Sequence, residues 1–184
     1  MSVAFALAAL AHTATSARRV SAQNRELNAR LRQAAVRGHA EYVRTLVRTG
    51  ADPNHLRGGW SLLMHGARSG RSDMVALLID LGAKPNFKGD GGASALTITA
   101  EHGNLRVIEV MLAGGADVNT RNDYGNTALM YAAEYGHPDV AAELLKAGAD
   151  ATVKDRDGET ALIIALRQGY ADIVRLLRES GARQ

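Results

Sequence analysis

The feature that most restricts the fold of this chain is an interval of 33 residues that recurs along most of its length. One leucine set and two glycine sets keep this interval: Leu63, Leu96, Leu129 and Leu162; Gly70, Gly103, Gly136 and Gly169; Gly82, Gly115, Gly148 and Gly181. An earlier copy fits if its loop is one residue shorter, and its matching residues are Leu31, Ala35, Gly38 and Gly50. Such a fixed interval predicts stacked repeats, because units of this length cannot bury an apolar face alone.

The segment from Thr127 to Gly148 predicts what one unit looks like. Thr127 is suited to the start of a helix, since its hydroxyl can accept from an unpaired backbone N–H. Gly136 is suited to end that helix, and Pro138 to begin a second one. The second helix carries an apolar face with helical spacing, formed by Val140, Ala141, Leu144 and Leu145. Each unit is therefore predicted to be two short antiparallel helices followed by a polar, extended loop.

A five-residue signature closes four of the units: GADPN from Gly50, GAKPN from Gly82, GADVN from Gly115 and GADAT from Gly148. Together with the leucine and glycine positions, this signature resembles that of the ankyrin repeat family. The resemblance implies an all-α solenoid of stacked helix-turn-helix repeats with extended, β-hairpin-like loops. It covers five repeats, at residues 28–58, 59–91, 92–124, 125–157 and 158–184.

The chain departs from the family's Thr-Pro-Leu-His motif at two positions. The proline position holds Leu62, Ala95, Ala128 and Ala161, and the histidine position holds Met64, Thr97, Met130 and Ile163. These departures bring into question the family's usual side-chain hydrogen bonds at that turn. They leave the stacking intact, since stacking rests on the leucines and glycines.

Residues 1–27 precede the repeats and allow three interpretations. Residues 3–11 form an apolar run that is far shorter than the roughly 20 residues of a membrane-spanning helix. The segment is interpreted as a helix covering the first repeat, as a secretory signal, or as an organelle transit peptide. Its arginines are Arg18, Arg19 and Arg25. We expect a cytoplasmic protein, with export or organelle targeting through residues 1–17 as the alternative.

The sequence offers little catalytic chemistry. It has no cysteine, and no two of its six histidines have the spacing of a helical zinc pair. The glycine-rich stretch from Gly89 to Ser94 lacks the lysine of a phosphate-binding loop. Glu101 and Glu134 recur at the repeat interval, which is more typical of a solvated surface than of a hydrolase. We therefore expect no catalytic residue, no metal and no cofactor, and we expect that the protein is not an enzyme.

Function is expected at the positions that the repeats leave free, which are the loops and the outward residues late in each first helix. Lys88, Arg121 and Lys154 form a basic column in the loops, and Trp60, Phe87 and Tyr124 are large apolar groups predicted at loop tips. The predicted partner-binding residues are Arg57, Trp60, Arg68, Phe87, Lys88, Glu101, His102, Arg121, Tyr124, Glu134, Tyr135, Lys154 and Arg167.

These positions favour a non-enzymatic scaffold that binds a protein partner through its loop tips and concave helix face. We expect a monomer whose partner offers an acidic stretch with apolar residues, and we do not expect nucleic acid. The alternative hypothesis uses the basic N-terminal part, where residues 1–50 hold eight arginines and two glutamates. In that hypothesis the segment binds nucleic acid or anionic lipid and the repeats act as a spacer. The salt dependence of binding separates the two hypotheses.

Overall fold

The computed structural model describes the backbone of residues 3–181 and the side chains of residues 20–181. The chain divides into two compact units, residues 1–53 and residues 54–184. The described part contains ten α-helices, one short 3₁₀ helix at Asp90–Gly92, and isolated β-bridges without an extended strand. This architecture confirms the all-α prediction.

The first unit is a pair of packed helices, α1 (Val3–Arg37) and α2 (Ala40–Arg48). Its core is formed by the buried side chains of Leu31, Ala34, Ala35, Val43 and Leu46. The helix α1 is continuous across residue 27, where the sequence predicted the start of the repeats. Residues 1–27 were expected to form a targeting segment or a helix that covers the first repeat. These expectations depend largely on the side chains of residues 1–19, which lie outside the described side chains.

The second unit contains eight helices in two layers. The first layer stacks α3 (Leu62–Arg68), α5 (Ala95–Glu101), α7 (Ala128–Tyr135) and α9 (Ala161–Gln168). The second layer stacks α4 (Ser72–Asp80), α6 (Leu105–Ala113), α8 (Pro138–Lys146) and α10 (Ala171–Glu179). Because each helix contacts the equivalent helix of the adjacent repeat, this unit is the predicted stack of helix-turn-helix repeats.

The predicted helix caps are present at the start of each first-layer helix. Ser61, Ser94, Thr127 and Thr160 are all buried, and each accepts a hydrogen bond from the backbone N–H three residues later. These bonds satisfy an amide that the helix itself leaves unpaired. Each cap therefore fixes where its helix begins.

The residues that replace the family's histidine restore the second half of this turn in three repeats. The sulfur atoms of Met64 and Met130 accept from the backbone N–H of their own cap residues at 3.4 Å, and the Thr97 hydroxyl accepts from Ser94 at 3.0 Å. Ile163 has no side-chain acceptor, so only the cap half of the turn is formed there. A side chain at the histidine position thus accepts from the cap N–H in three of the four repeats, and this bond is absent in the repeat that contains Ile163.

Asparagine side chains connect successive loops of the second unit. Asn119 donates through Nδ2 to the Gly148 carbonyl at 3.2 Å and accepts through Oδ1 from the Asp150 N–H at 2.8 Å. Asn54 and Asn86 make the same pair of bonds to the next repeat. These bridges hold the closing signatures in register, because they satisfy a donor and an acceptor of the neighbouring backbone at once.

The loops themselves are joined by backbone hydrogen bonds. The N–H of Asp123 donates to Gly91 at 3.0 Å, and that of Arg156 donates to Tyr124 at 2.9 Å. Within a loop, Arg57 and Trp60 exchange backbone bonds as a short hairpin does.

None of the helices in the part of the chain that the structure describes has the length and apolar character that crossing a bilayer requires.

Candidate functional site

The basic column predicted in the loops is aligned in the structure. The Lys88 Nζ donates to the backbone carbonyl of Arg121 at 2.8 Å, and the Arg121 Nη2 donates to the carbonyl of Lys154 at 2.7 Å. Within the described residues, the Lys154 side chain makes no such bond. Two of the three cations therefore also join one repeat to the next, while all three remain exposed. We call these three residues the loop edge.

The three large apolar residues predicted at loop tips are in different environments. Tyr124 is 62% exposed, as predicted, whereas Trp60 and Phe87 are partly buried. The Trp60 ring lies 5.5 Å from the His65 ring, and the guanidinium carbon of Arg68 lies 5.3 Å from its centre. Trp60 and Phe87 are therefore less exposed than Tyr124, and the Trp60 ring has His65 and Arg68 as close neighbours.

The last turns of the first-layer helices present a charged surface, which we call the first-helix face. It consists of Arg68, Glu101, Glu134 and Arg167 together with the residues that follow them, Ser69, His102, Tyr135 and Gln168. Its two outer charges, in the first and last repeats of the second unit, each have a partner within their own repeat. Arg68 lies over the ring of Trp60, and Arg167 forms an ion pair with the Glu159 carboxylate.

The two inner charges have no such partner in the part of the chain that the structure describes. The position eight residues earlier, which holds Trp60 and Glu159 in the outer repeats, holds Ala93 before Glu101 and Asn126 before Glu134. Neither Glu101 nor Glu134 takes part in an ion pair among the described residues. Both carboxylates are only partly exposed, so they lie at the surface without a compensating cation from that part of the chain.

Two tyrosines of α7 lie beside these carboxylates. The rings of Tyr131 and Tyr135 are stacked with their centres 6.4 Å apart and their planes at 15°. The Tyr131 hydroxyl accepts from Nδ2 of Asn122 at 2.9 Å, which anchors this ring, while Tyr135 is 47% exposed. Tyr135 was predicted from the sequence as a binding residue but Tyr131 was not, although the spacing of four residues on one helix is a signal for such a pair.

The carboxylates and the rings affect one another electrostatically. Burial raises the pKa of Tyr131 and of Tyr135 above the ordinary value of 10.0, and the negative charges of Glu101 and Glu134 raise both further. Hydrogen bonds from Asn126 and Asn122 oppose the shift at Tyr131. The first-helix face is therefore negative around two aromatic rings.

A pH dependence follows from these raised pKa values. At alkaline pH the folded chain holds phenolic protons that the unfolded chain has released, so the free energy of unfolding should decrease as pH rises above about 10. Below that pH the tyrosines contribute no pH dependence. Tyrosinate absorbance should show a lower titration midpoint in Glu101→Gln/Glu134→Gln than in the unchanged protein. Subtracting the titration of Tyr131→Phe/Tyr135→Phe isolates the two rings, and an unmoved midpoint would contradict this account.

Arg57 and His102 complete the set of predicted residues. Arg57 is exposed in the loop before α3, and the His102 Nδ1 donates to the Ile98 carbonyl at 3.0 Å. Among the described residues, no group of three or more His, Cys, Asp or Glu could hold a metal ion. The open grooves beside α10 and along α1 are lined mainly by apolar and arginine side chains, and neither is lined by Ser, Thr or His.

The histidine that follows the closing glycine of α7 has a structural role. The His137 Nε2 donates to the Glu101 carbonyl at 3.0 Å, which connects two repeats. Asn104 makes the equivalent bond to the Ala67 carbonyl at 3.1 Å. His137 is thus occupied in the stack rather than at a site.

Comparison with known proteins agrees with this architecture. A family model described as Ankyrin repeats (3 copies) matches residues 7–89 and 96–184. A search of curated proteins found no match. The matched segments include most of both units. The chain therefore belongs to the ankyrin repeat family.

Proposed function

We propose that this protein is a non-enzymatic scaffold that binds a protein partner through its first-helix face and its loop edge. Ankyrin repeats are generally protein–protein interaction modules. The observation that carries the proposal is the exposure of two carboxylates and one aromatic ring on the first-helix face. Every buried polar side-chain atom of the described residues has a partner, whereas among those residues the carboxylates of Glu101 and Glu134 take part in no ion pair and Tyr135 is 47% exposed. Partly exposed carboxylates beside an exposed aromatic ring are suited to contact another protein.

The loop edge supports a second contact in the same complex. Lys88, Arg121 and Lys154 form an exposed basic column, which would attract an acidic stretch of the partner. The exposed Tyr124 lies in the same set of loops and would contact an apolar residue of that stretch. On this proposal the free protein is a monomer, and the edge mainly increases the rate of association.

Site-specific crosslinking tests the scaffold proposal. A photo-crosslinking amino acid placed at Tyr135 should capture a discrete protein from an extract of the native host, and the same residue placed at Asp139 should not. Asp139 is the matched control, because it lies on α8 of the same repeat and is also exposed. Equal capture of the same protein from both positions, or no capture from Tyr135, would contradict the proposal.

The loop edge is tested with Lys154→Glu. Lys154 is chosen because its side chain makes no inter-repeat bond in the described part, and the bond that its backbone carbonyl accepts from Arg121 does not depend on the side chain. With the captured partner, Lys154→Glu should slow association several-fold and reduce its salt dependence, while the melting temperature stays nearly unchanged. Lys146→Glu on α8 is the control for a change of net charge. Equal effects from both reversals would show that the edge contributes only net charge.

The alternative use of the basic N-terminal part remains a second proposal. Arg25 and Arg37 are exposed on α1, and Arg48 is exposed at the end of α2. Binding through these residues to nucleic acid or anionic lipid should weaken steeply with salt. Binding that survives salt and requires Tyr135 would reject this alternative.

A further inference from the structure

We propose that Glu101, Glu134, Tyr131 and Tyr135 form a subsite that binds an arginine side chain of the protein partner. The inference rests on the proposed scaffold function and names the chemistry of the group that the first-helix face recognises. We call these four residues the arginine subsite.

The outer repeats show that this face accommodates guanidinium groups. In one of them Arg68 is stacked over the indole of Trp60, with 5.3 Å from the guanidinium carbon to the ring centre. In the other, Arg167 is paired with the carboxylate of Glu159. The same position of the repeat is thus used once for stacking on an aromatic ring and once for pairing with a carboxylate.

The two inner repeats supply carboxylates and aromatic rings, the groups that bind guanidinium in the outer repeats, but they supply no cation at this position of the repeat. Glu101 and Glu134 supply carboxylates, and Tyr131 and Tyr135 supply stacked rings. Ala93 and Asn126, at the loop positions that would pair with them, carry no charge. Within the described residues these carboxylates have no ion pair, and our proposal assigns the matching cation to the partner protein.

Arginine fits this arrangement better than lysine. Its planar guanidinium can stack on a tyrosine face while its N–H groups point to carboxylates, whereas an ammonium acts as a compact point charge. The carboxylates are partly buried, which reduces the screening of a bound cation by water. The raised pKa values of both tyrosines agree with a negative environment that a cation would relieve.

The test uses three short, blocked peptides of the sequence Ala-Gly-X-Gly-Ala, in which X is arginine, lysine or citrulline. Citrulline is the matched neutral control, since it keeps the shape of arginine and removes its charge. The tyrosine ring signals of the full chain are followed by nuclear magnetic resonance during each titration. The arginine peptide should shift the Tyr131 and Tyr135 signals saturably, the lysine peptide more weakly, and the citrulline peptide not at all.

Variants then locate the binding. Glu101→Gln/Glu134→Gln should weaken the arginine peptide about tenfold, because two charge-assisted hydrogen bonds are lost. The control Glu109→Gln alters a carboxylate on α6 that is already paired with Arg106, and it should bind as the unchanged protein does. Binding that is equal for arginine and citrulline, or unaffected by the double substitution, would overturn the inference, as would the absence of any saturable shift.

The two proposals fail in different ways. If the partner is captured at Tyr135 but an excess of the arginine peptide does not compete with it, the arginine subsite is rejected and the scaffold function stands. If the arginine peptide binds as expected but no protein is captured from any position, the scaffold function is rejected and the chemical preference of the surface stands.

Discussion

Replacement of Leu129 by aspartate is expected to lower the free energy of unfolding of the second unit by about 4 kcal/mol or more. Leu129 is 1% exposed on α7, which packs between α5 and α9. The substitution removes the apolar contacts to both neighbouring helices and places a carboxyl group in an apolar core. Urea denaturation followed by circular dichroism measures the effect, and we expect the variant to be largely unfolded at the midpoint of the unchanged protein.

Glu134→Ala provides the matched control on the same helix. Glu134 lies five residues later, is partly exposed and forms no ion pair among the described residues. Its removal should change stability by less than about 0.5 kcal/mol, as is usual for surface substitutions. Similar losses from both variants would mean that α7 does not present Leu129 to the core and Glu134 to the surface.

The part of the fold that was predicted from the sequence is the part that local chemistry repeats. Leu63 and Leu96 are buried at the interval that predicted them, and Thr127 caps α7 with the expected hydroxyl acceptor. Such roles depend on positions within one repeat and on the same position in the next repeat. A fixed interval specifies both, so periodicity was sufficient to assign them.

The sequence did not predict contacts that depend on the path of a loop. Trp60 is eight residues before Arg68, and no periodic rule indicates that the loop returns its indole beneath that guanidinium. The capping role of the Met64 sulfur was missed for a related reason, since methionine is a weak acceptor and its use depends on close geometry. The alignment of Lys88 with Arg121 was predicted, but the bond from Lys88 to the next backbone was not.

The same limit applies to the first-helix face. The sequence showed Glu101 and Glu134 as a column, but it did not show that both lack a cationic partner among the described residues while Arg167 has the carboxylate of Glu159. That difference arises from the residue eight positions earlier in each repeat. The functional hypothesis therefore became specific only when each charge could be matched to its neighbour in the structure.

Substitution of Gly103 by alanine is the second change for which we expect a large effect, a loss of roughly 2–4 kcal/mol. Gly103 has φ +69°, a conformation that residues with a Cβ rarely adopt. A Cβ at this position would also lie 2.5 Å from the His137 Nδ1. The imidazole would have to move, and its hydrogen bond to the Glu101 carbonyl would be lost or distorted. Urea denaturation measures this loss.

Gly169→Ala separates the two parts of this effect. Gly169 is the equivalent glycine of the last repeat and has φ +78°, but among the described residues no neighbouring atom would lie within 4 Å of a Cβ added there. It should therefore show only the cost of the left-handed conformation, about 1 kcal/mol. The excess loss at Gly103 measures the contact between the glycine and the next repeat.

A third variant tests whether the imidazole of His137 causes the excess loss of stability at Gly103. In a His137→Ala background the ring is absent, so adding Gly103→Ala should cost no more than Gly169→Ala does in the unchanged protein. A loss that stays large without the ring would assign the excess to the α5 backbone instead. A Gly103→Ala loss that equals that of Gly169→Ala with the ring present would mean that His137 moves aside freely. In that case the closing glycines would be required only for their conformation, and the inter-repeat bond from His137 would contribute little to the stability of the stack.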